Sequence, residues 1–411
     1  MDYKMIAMVV MTAVFVYGML LEELRRLSAM NPVPENVRDV YDDESYLTWR
    51  RYHGEKVRWG MVAKAVSYLV EMALIAADLY ARFASLFPDT DFMRLFGVLL
   101  LSALGGLISL PLEYYDTMVI EEKYGFNRAT KKTFFLDQVK NFVISLILIT
   151  LIASLLMGIH KALGDLMVPV FAAAMTVLML GFTFLYPVFS RVFNKFTPLE
   201  DGELKEQLTA LMDRHGYSVR AIQVMDASRR TSKSNAYFTG FGRMKTIVLY
   251  DTLVAAMDTD EICAVFAHEM GHGLHHDTLK NQILSFFQML ILGALALWTL
   301  SSPEVFSSFG FDRVNYGFAV ILIMSVEYAL IAPLVGLIAS FMSRRAEYRA
   351  DAQAAKEGYA DALVSGLKKL SRANFSDLAP HPLLVRLEYS HPTLSQRIAA
   401  LDALKDKEEK K

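Results

Sequence analysis

His268-Glu269-Met270-Gly271-His272 has the residue types and spacing of a metal hydrolase. On a helix, residues four apart share a face, so His268 and His272 can offer two imidazole nitrogens to one ion. Glu269 projects beside that pair, placed to hold and deprotonate a water at the metal. His-Glu-x-x-His on a helix therefore reads as a zinc hydrolase with one Zn2+ per chain. Local signals support the helix: Asp258 stands before it, Glu261 occupies its third position in the manner of a capping box, and Ile262, Cys263, Val265 and Phe266 follow. The alternative is a surface helix with two hydrogen-bonded histidines in a histidine-rich stretch, since His275 and His276 lie close by.

A catalytic zinc needs a third protein ligand and an open position, and the choice of ligand depends on the elements around the motif. The 411 residues are 54% apolar, against about 45–50% in ordinary soluble domains. The excess sits in seven blocks long enough to span a membrane: Met5–Leu21, Gly60–Phe87, Met93–Tyr115, Phe142–His160, Val168–Ser190, Leu279–Leu300 and Gly317–Phe341. The first block is long for a signal-peptide core and no small-x-small site closes it, so it reads as an uncleaved span. The fold class expected is mainly α: a polytopic membrane protein with about seven transmembrane helices and a small α+β zincin-like cytoplasmic domain.

The single cysteine, Cys263, excludes an intramolecular disulfide and a multi-cysteine zinc site. A formal net charge of −2 supplies no global basic field for nucleic acid. Lysine and arginine are concentrated after the first and third spans, whereas the opposite side carries Lys4, Arg94, Lys161 and Arg313. That bias places the N-terminus outside or in the lumen and the C-terminus in the cytoplasm. The membrane would be the plasma membrane in a prokaryote and the endoplasmic reticulum in a eukaryote.

The chain then divides into spans one to five (1–190), a first protease segment with the motif helix (191–278), spans six and seven (279–341), and a second protease segment with the tail (342–411). The two protease segments are expected to fold as one unit. Leu204–His215 reads as a helix, Ala221–Met225 as a strand, and Asn235–Phe241 with Thr246–Tyr250 as a hairpin. In the second span, Lys64, Ser67, Glu71, Asp78 and Arg82 recur at helical spacing. This stripe is either a salt-bridge seam, with Asp78 paired to Arg82, or the wall of a water-filled chamber.

Topology selects the third ligand. A metzincin would need Gly at 275 and His at 278, where this chain has His275 and Thr278. A carboxylate about twenty residues on would fall inside the sixth span. Of the remaining acids, Glu304 is on the far side of the membrane and Glu327 lies fourteen residues before the end of the seventh span, roughly 21 Å deep. Glu347 emerges on the side of the histidines and is the expected ligand. Asp351, one turn on, is suited to accept the other ring N–H of a zinc-bound histidine. The competing reading of Glu347 and Asp351 is an ordinary charged face shared with Arg345 and Arg349.

Several further segments bear a family resemblance: Glu121–Asn127, Ser234–Gly240, Ile247–Leu253, His268–His272, Ser343–Asp351, Ser390–Thr393 and Arg397-Ile398. In order and kind they resemble the type 1 CaaX prenyl endopeptidases, zinc proteases whose seven spans enclose a chamber. The resemblance implies zinc on His268, His272 and Glu347, Glu269 as general base, His391 stabilising the oxyanion and Arg397 bracing the site. It also implies that Asn235, Ala236 and Tyr237 form an edge strand that pairs with an extended peptide. From the residues alone, His391 is equally a turn residue before Pro392. The family commonly has a second proline where this chain has Thr393. The implied activity removes a terminal tripeptide from CaaX-type, prenylated substrates, with membrane lipid as surroundings and no nucleic-acid partner. Two other readings compete, an HtpX-like quality-control metalloprotease and a transporter or channel; the seven spans with Glu121–Asn127 count against the first, and Glu269 beside two zinc-spaced histidines against the second.

Overall fold

Backbone polar groups inside a bilayer have to bond within their own segment, so long apolar runs fold as helices. The computed structural model describes residues 2–216, 221–239 and 246–408. Among them, six segments are long and apolar enough to cross a membrane: Tyr3–Ser28 (α1), Asp43–Ala76 (α2), Asp91–Glu121 (α3), Lys131–Phe182, Asp277–Leu300 and Tyr316–Lys356. The fourth is a hairpin. Its first arm, α4 (Lys131–Leu163), ends where Gly164 takes a φ of +51°, and α5 (Met167–Ser190) runs back. Lys140 Nζ donates to the Val192 carbonyl at 3.0 Å, which one straight helix across this segment, about 78 Å long, would forbid. The two arms are the spans expected at Phe142–His160 and Val168–Ser190, so six segments make seven crossings.

The second span differs from its expected extent. α2 stops at Ala76, Asp78 adopts left-handed backbone with φ +55°, and Leu79–Ala84 restarts as a short helix. Continuous hydropathy across Gly60–Phe87 conceals this break, so Asp78 and Arg82 lie beyond the helix that carries Lys64 and Glu71. Lys64, Glu71 and Asp78 each have a partner, though none is the one that i, i+4 spacing suggests. Lys64 meets Glu22 at 2.6 Å, Glu71 accepts from the Tyr80 hydroxyl at 3.2 Å, and Asp78 meets Lys4 at 2.6 Å rather than Arg82.

Only 11–28% of each segment's most apolar window is buried. The helices therefore meet along narrow seams and leave wide faces uncovered, unlike a packed bundle. One dense cluster, with Tyr80, Leu95, Leu99, Phe306, Phe309 and Phe318, ties them together near one end. At that end Lys4–Asp78, Arg94–Asp312, Lys161–Asp91 and Arg313–Asp89 form ion pairs. The four cations are those that the charge reading assigns to one side of the membrane.

The rest of the chain builds a small α+β unit at the other end. Between α5 and the sixth crossing come β1 (Phe196–Pro198), α6 (Glu203–Arg214), β2 (Ala221–Met225), β3 (Ala236–Thr239), β4 (Thr246–Tyr250) and α7 (Thr259–Leu274). The sheet order is β1-β2-β4-β3, with β2 and β4 parallel and β3 antiparallel to β4, pairing Ala236 with Leu249 and Tyr237 with Val248. The expected hairpin is present in its described strands; Phe241 and the turn at 240–245 lie outside the described residues.

α7 begins with the expected capping box, in which Asp258 accepts from the Glu261 N–H and Glu261 accepts from the Asp258 N–H. Then come α8 (Asp277–Leu300) and α9 (Tyr316–Lys356), which runs past Phe341, where the seventh span was expected to end. α10 (Ala360–Ala373), α11 (Pro382–Leu387) and α12 (Leu394–Glu408) complete the chain. One core unites Leu208, Leu211, Ile247, Leu249, Ile262 and Phe266 with Ala354, Leu363, Leu367 and Leu401. Residues before the sixth crossing and after the seventh thus share one interior, with Cys263 buried in it.

Candidate metal centre

α7 and α9 pack tightly beside Gly271, where an added Cβ would stand 2.8 Å from the Ala350 Cα. This crossing brings the i, i+4 pair of α7, His268 and His272, against the i, i+4 pair of α9, Glu347 and Asp351. Ligand atoms of His268, His272 and Glu347 all lie within 4.8 Å of one another, the one such group among the described residues. His268 Nε2 is 3.5 Å from Glu347 Oε2, and His272 Nε2 is 3.3 Å from Glu347 Oε1. Ligands bound at about 2.0–2.1 Å in a tetrahedron stand about 3.3–3.4 Å apart, so these separations suit a zinc-sized ion. Glu347 Oε2 is also buried without a hydrogen-bond partner. A cation shared with the two imidazoles would satisfy it.

Carboxylates behind the histidines orient the rings. Asp351 Oδ1 is 2.8 Å from His268 Nδ1 and is only 1% exposed as a residue. Arg397 on α12 donates to both Asp351 oxygens at 2.9 and 2.6 Å, and its guanidinium also lies 3.5 Å from Glu347 Oε2. Asp277 Oδ2 is 3.1 Å from His272 Nδ1. Both Nδ1 atoms are thereby engaged and both Nε2 atoms turned toward Glu347.

Asp277 is the partner that sequence reasoning missed. The chain reverses at His276, a non-glycine residue with φ +53°, and α8 begins at once, which carries Asp277 back onto His272. Arg349 and Lys280 hold Asp277 in turn, at 2.7 and 3.2 Å. The available signal was an acid just after the histidine motif at the start of an apolar run. His275 and His276, the remaining histidines of that stretch, stand outside the group.

Burial pushes the Glu269 carboxyl upward against the pull of His268 and His272. That favours a group able to accept and hold a proton. For His272, burial alone would favour the neutral ring, but the hydrogen bond and charge of Glu347, followed by Asp277, raise it to about 9. The negative field that draws a proton to this ring would equally draw a cation.

His391 lies near the group, its Nε2 3.3 Å from Glu347 Oε1, with a side chain 62% exposed. Its loop is tied down by Arg344, which donates to the Tyr389 and Val385 carbonyls at 2.6 and 3.1 Å. A cavity of about 1110 Å³ opens beside the group and is lined by Asn235, Tyr237, Glu269, His272, Glu347 and residues of α5, α8 and α9. Glu71, Asp78 and Arg82, for which a chamber wall was one of two readings, are not among the described residues lining it.

β3 is the free edge of the sheet on this cavity. The Tyr250 N–H donates to the Asn235 carbonyl at 3.1 Å. By the alternation of an antiparallel ladder, Ala236 therefore turns its N–H and C=O to the open edge. There, among the described residues, its N–H donates to its neighbour's side chain, Asn235 Oδ1, at 2.9 Å. Of the site residues singled out from the sequence, Asn235, Tyr237, Glu269, His272 and Glu347 line this cavity; His268 and Arg397 come within 3.5 Å of Glu347 and both bond to Asp351, and His391 lines a second cavity together with Arg397.

Residues 23–195 match the family described as CAAX prenyl protease N-terminal, five membrane helices, and residues 198–405 match Peptidase family M48. Similar curated proteins include CAAX prenyl protease 1 of Saccharomyces cerevisiae, 32% identical across 91% of this chain and 89% of its own. The CAAX prenyl protease 1 homolog of Arabidopsis thaliana is 34% identical across 92% and 93%. The crystal structure of S. mikatae Ste24p, 31% identical, superposes with a TM-score of 0.91 over 97% of this chain and 99% of that one.

Proposed function

This chain belongs to peptidase family M48, among the CAAX prenyl proteases, and from that premise we propose that it uses one zinc ion to release the terminal tripeptide from prenylated CaaX C-termini. It is an integral-membrane metalloendopeptidase acting on peptide or protein substrates. The observation that carries the finer reading is the meeting of His268 Nε2, His272 Nε2 and Glu347 Oε2, which no hydrogen bond satisfies, beside Glu269 and the open edge of β3.

His268, His272 and Glu347 would hold the zinc, which when bound supplies a Lewis acid for the attacking water and the scissile carbonyl. Glu269 takes a proton from that water on its carboxylate and delivers it to the leaving amine. Asp351, fixed by Arg397, keeps the proton of His268 on Nδ1, and Asp277 does the same for His272. His391 donates from Nε2 to the oxygen on which charge develops. The extended substrate lies along Asn235–Tyr237, bonded to the Ala236 C=O and, in place of Asn235 Oδ1, to the Ala236 N–H. Membrane lipid surrounds the crossings, and the lysine and arginine bias supports placing the metal unit in the cytoplasm.

The test uses purified protein and a peptide ending in a prenylated cysteine and three further residues. Mass spectrometry should find the free tripeptide, and a chelator should abolish its release. Cuts confined to unfolded membrane proteins, with none at the prenylated end, would replace this reading with the quality-control one.

A further inference from the structure

The segment leading into β3 is gripped from two sides by parts of the chain far away in sequence. On one side is the turn after α3. The Ser232 N–H donates to the Phe126 carbonyl at 3.1 Å, Ser232 Oγ donates to the Gly125 carbonyl at 2.9 Å, and the Arg128 N–H donates to the Arg230 carbonyl at 3.0 Å. Lys233 Nζ reaches Glu121 at 3.1 Å. This turn belongs to Glu121–Asn127, a motif that the reaction itself does not use.

On the other side is Asn374, at the C-terminal end of α10. The Ser234 N–H donates to Asn374 Oδ1 at 3.1 Å, and Asn374 Nδ2 donates back to the Ser234 carbonyl at 3.2 Å. One amide thus saturates both backbone groups of a residue that is 5% exposed, as a neighbouring strand would. The next residue, Phe375, has φ +49° and packs its ring 4.9 Å from that of Phe126. The two grips therefore brace each other.

We propose that Asn374 is a positioning residue for substrate: by pairing with Ser234 it sets where the edge strand begins, and so where Ala236 presents its outward-facing N–H and C=O beside the metal group. The proposal rests on the reading of Asn235–Tyr237 as the substrate-binding edge. Neither neighbour of Ser234 is left to drift. The Lys233 carbonyl accepts from Thr252 Oγ1 at 2.9 Å, and the Asn235 carbonyl is held by Tyr250. Asn374 bonds the backbone of this run to the half of the unit that follows the seventh crossing, which also carries Glu347 and Asp351. Removing its amide leaves two buried backbone groups unpaired and loosens the start of the strand against α10, while Thr252 and Tyr250 still hold its flanks. Binding of an extended peptide should suffer, whereas metal retention should not.

Asn374→Ala should raise KM for an unprenylated peptide substrate about tenfold, the weight of one good hydrogen bond. It should leave kcat within about twofold and keep one metal per chain. Asn374→Asp keeps the acceptor for the Ser234 N–H and should fall between, and it carries the comparison if the alanine variant does not fold. In a Glu269→Gln background, which binds without cutting, peptide should protect the amides of 235–239 from hydrogen exchange, and Asn374→Ala should remove that protection. An unchanged KM, a fall in kcat alone, or loss of the metal would overturn the proposal while peptide still protects β3 in the parent. Absence of protection in the parent would instead overturn the edge-strand reading, and the proposal with it.

Discussion

A methyl group at position 271 would stand 2.8 Å from the Ala350 Cα, 3.1 Å from the Gln353 Cβ and 3.2 Å from the Ala350 carbonyl oxygen. Two of these three atoms are backbone, so no side chain can rotate away to admit it. Ordinary contact at 3.4–4 Å would require α7 and α9 to separate by roughly 0.6–1.2 Å where they cross, a change that strained cores resist. Gly271 lies between His268 and His272, and Ala350 lies between Glu347 and Asp351. The separation thus falls on the ligand group itself, where about 0.2 Å is the tolerance of a metal site.

Overpacking costs about 1–3 kcal/mol, while replacing a helical glycine by alanine returns about 1 kcal/mol, so the melting temperature should move little. Metal affinity is the informative readout. Gly271→Ala should bind zinc about 10–100-fold more weakly, the range found when supporting interactions of a metal site are disturbed. Competition against a chromogenic chelator measures it. Gly54→Ala, in α2 with no atom within 4 Å of the new methyl, is the control and should bind as the parent does. Parental zinc affinity and peptidase activity in Gly271→Ala would refute the claim that this close crossing assembles the site.

Glu269→Gln should keep one zinc per chain and lose proteolysis by at least about 10²-fold, as expected for a proton-transfer group that is not a ligand; metal analysis beside a cleavage assay checks both halves. Glu347→Ala should lose zinc, while Glu327→Ala should retain it, because Glu327 lies about 30 Å away along α9 and bonds to Thr299 instead. Asp277→Asn should weaken zinc binding about tenfold, with peptide KM unchanged once the metal is restored in excess. Burial raises the Cys263 thiol to about 11, so at pH 8 it stays in the protonated, unreactive form. The thiolate fraction rises only as pH climbs toward that value. Wild-type protein should therefore be silent to an impermeant thiol reagent until it is unfolded. Cysteines at Ser307 and Asp201, both exposed, should then label from opposite faces of the membrane.

What the sequence determined by itself was whatever depends on near neighbours or on accumulated apolarity. Four-residue spacing places His268 and His272 on one helix face, the Asp258–Glu261 pair caps that helix, and apolar runs too long for any other role mark the crossings. Glu347 was reachable as well, because the sixth and seventh crossings return the chain to the side it left, and only one of the acids then stands at the right depth. Three features needed the folded molecule, for separate physical reasons. The break at Asp78 and the reversal at His276 place non-glycine residues in left-handed backbone, conformations that hydropathy does not register and that surrounding contacts have to impose. The partners of the second-span charges are Lys4 and Glu22 on a neighbouring helix, since desolvated charges pair with whatever packing brings near, whether or not spacing along their own helix offers a partner. Asn374 reaches Ser234 across 140 residues, and no periodicity within either segment encodes a meeting that arises only when residues before the sixth crossing and after the seventh share one core.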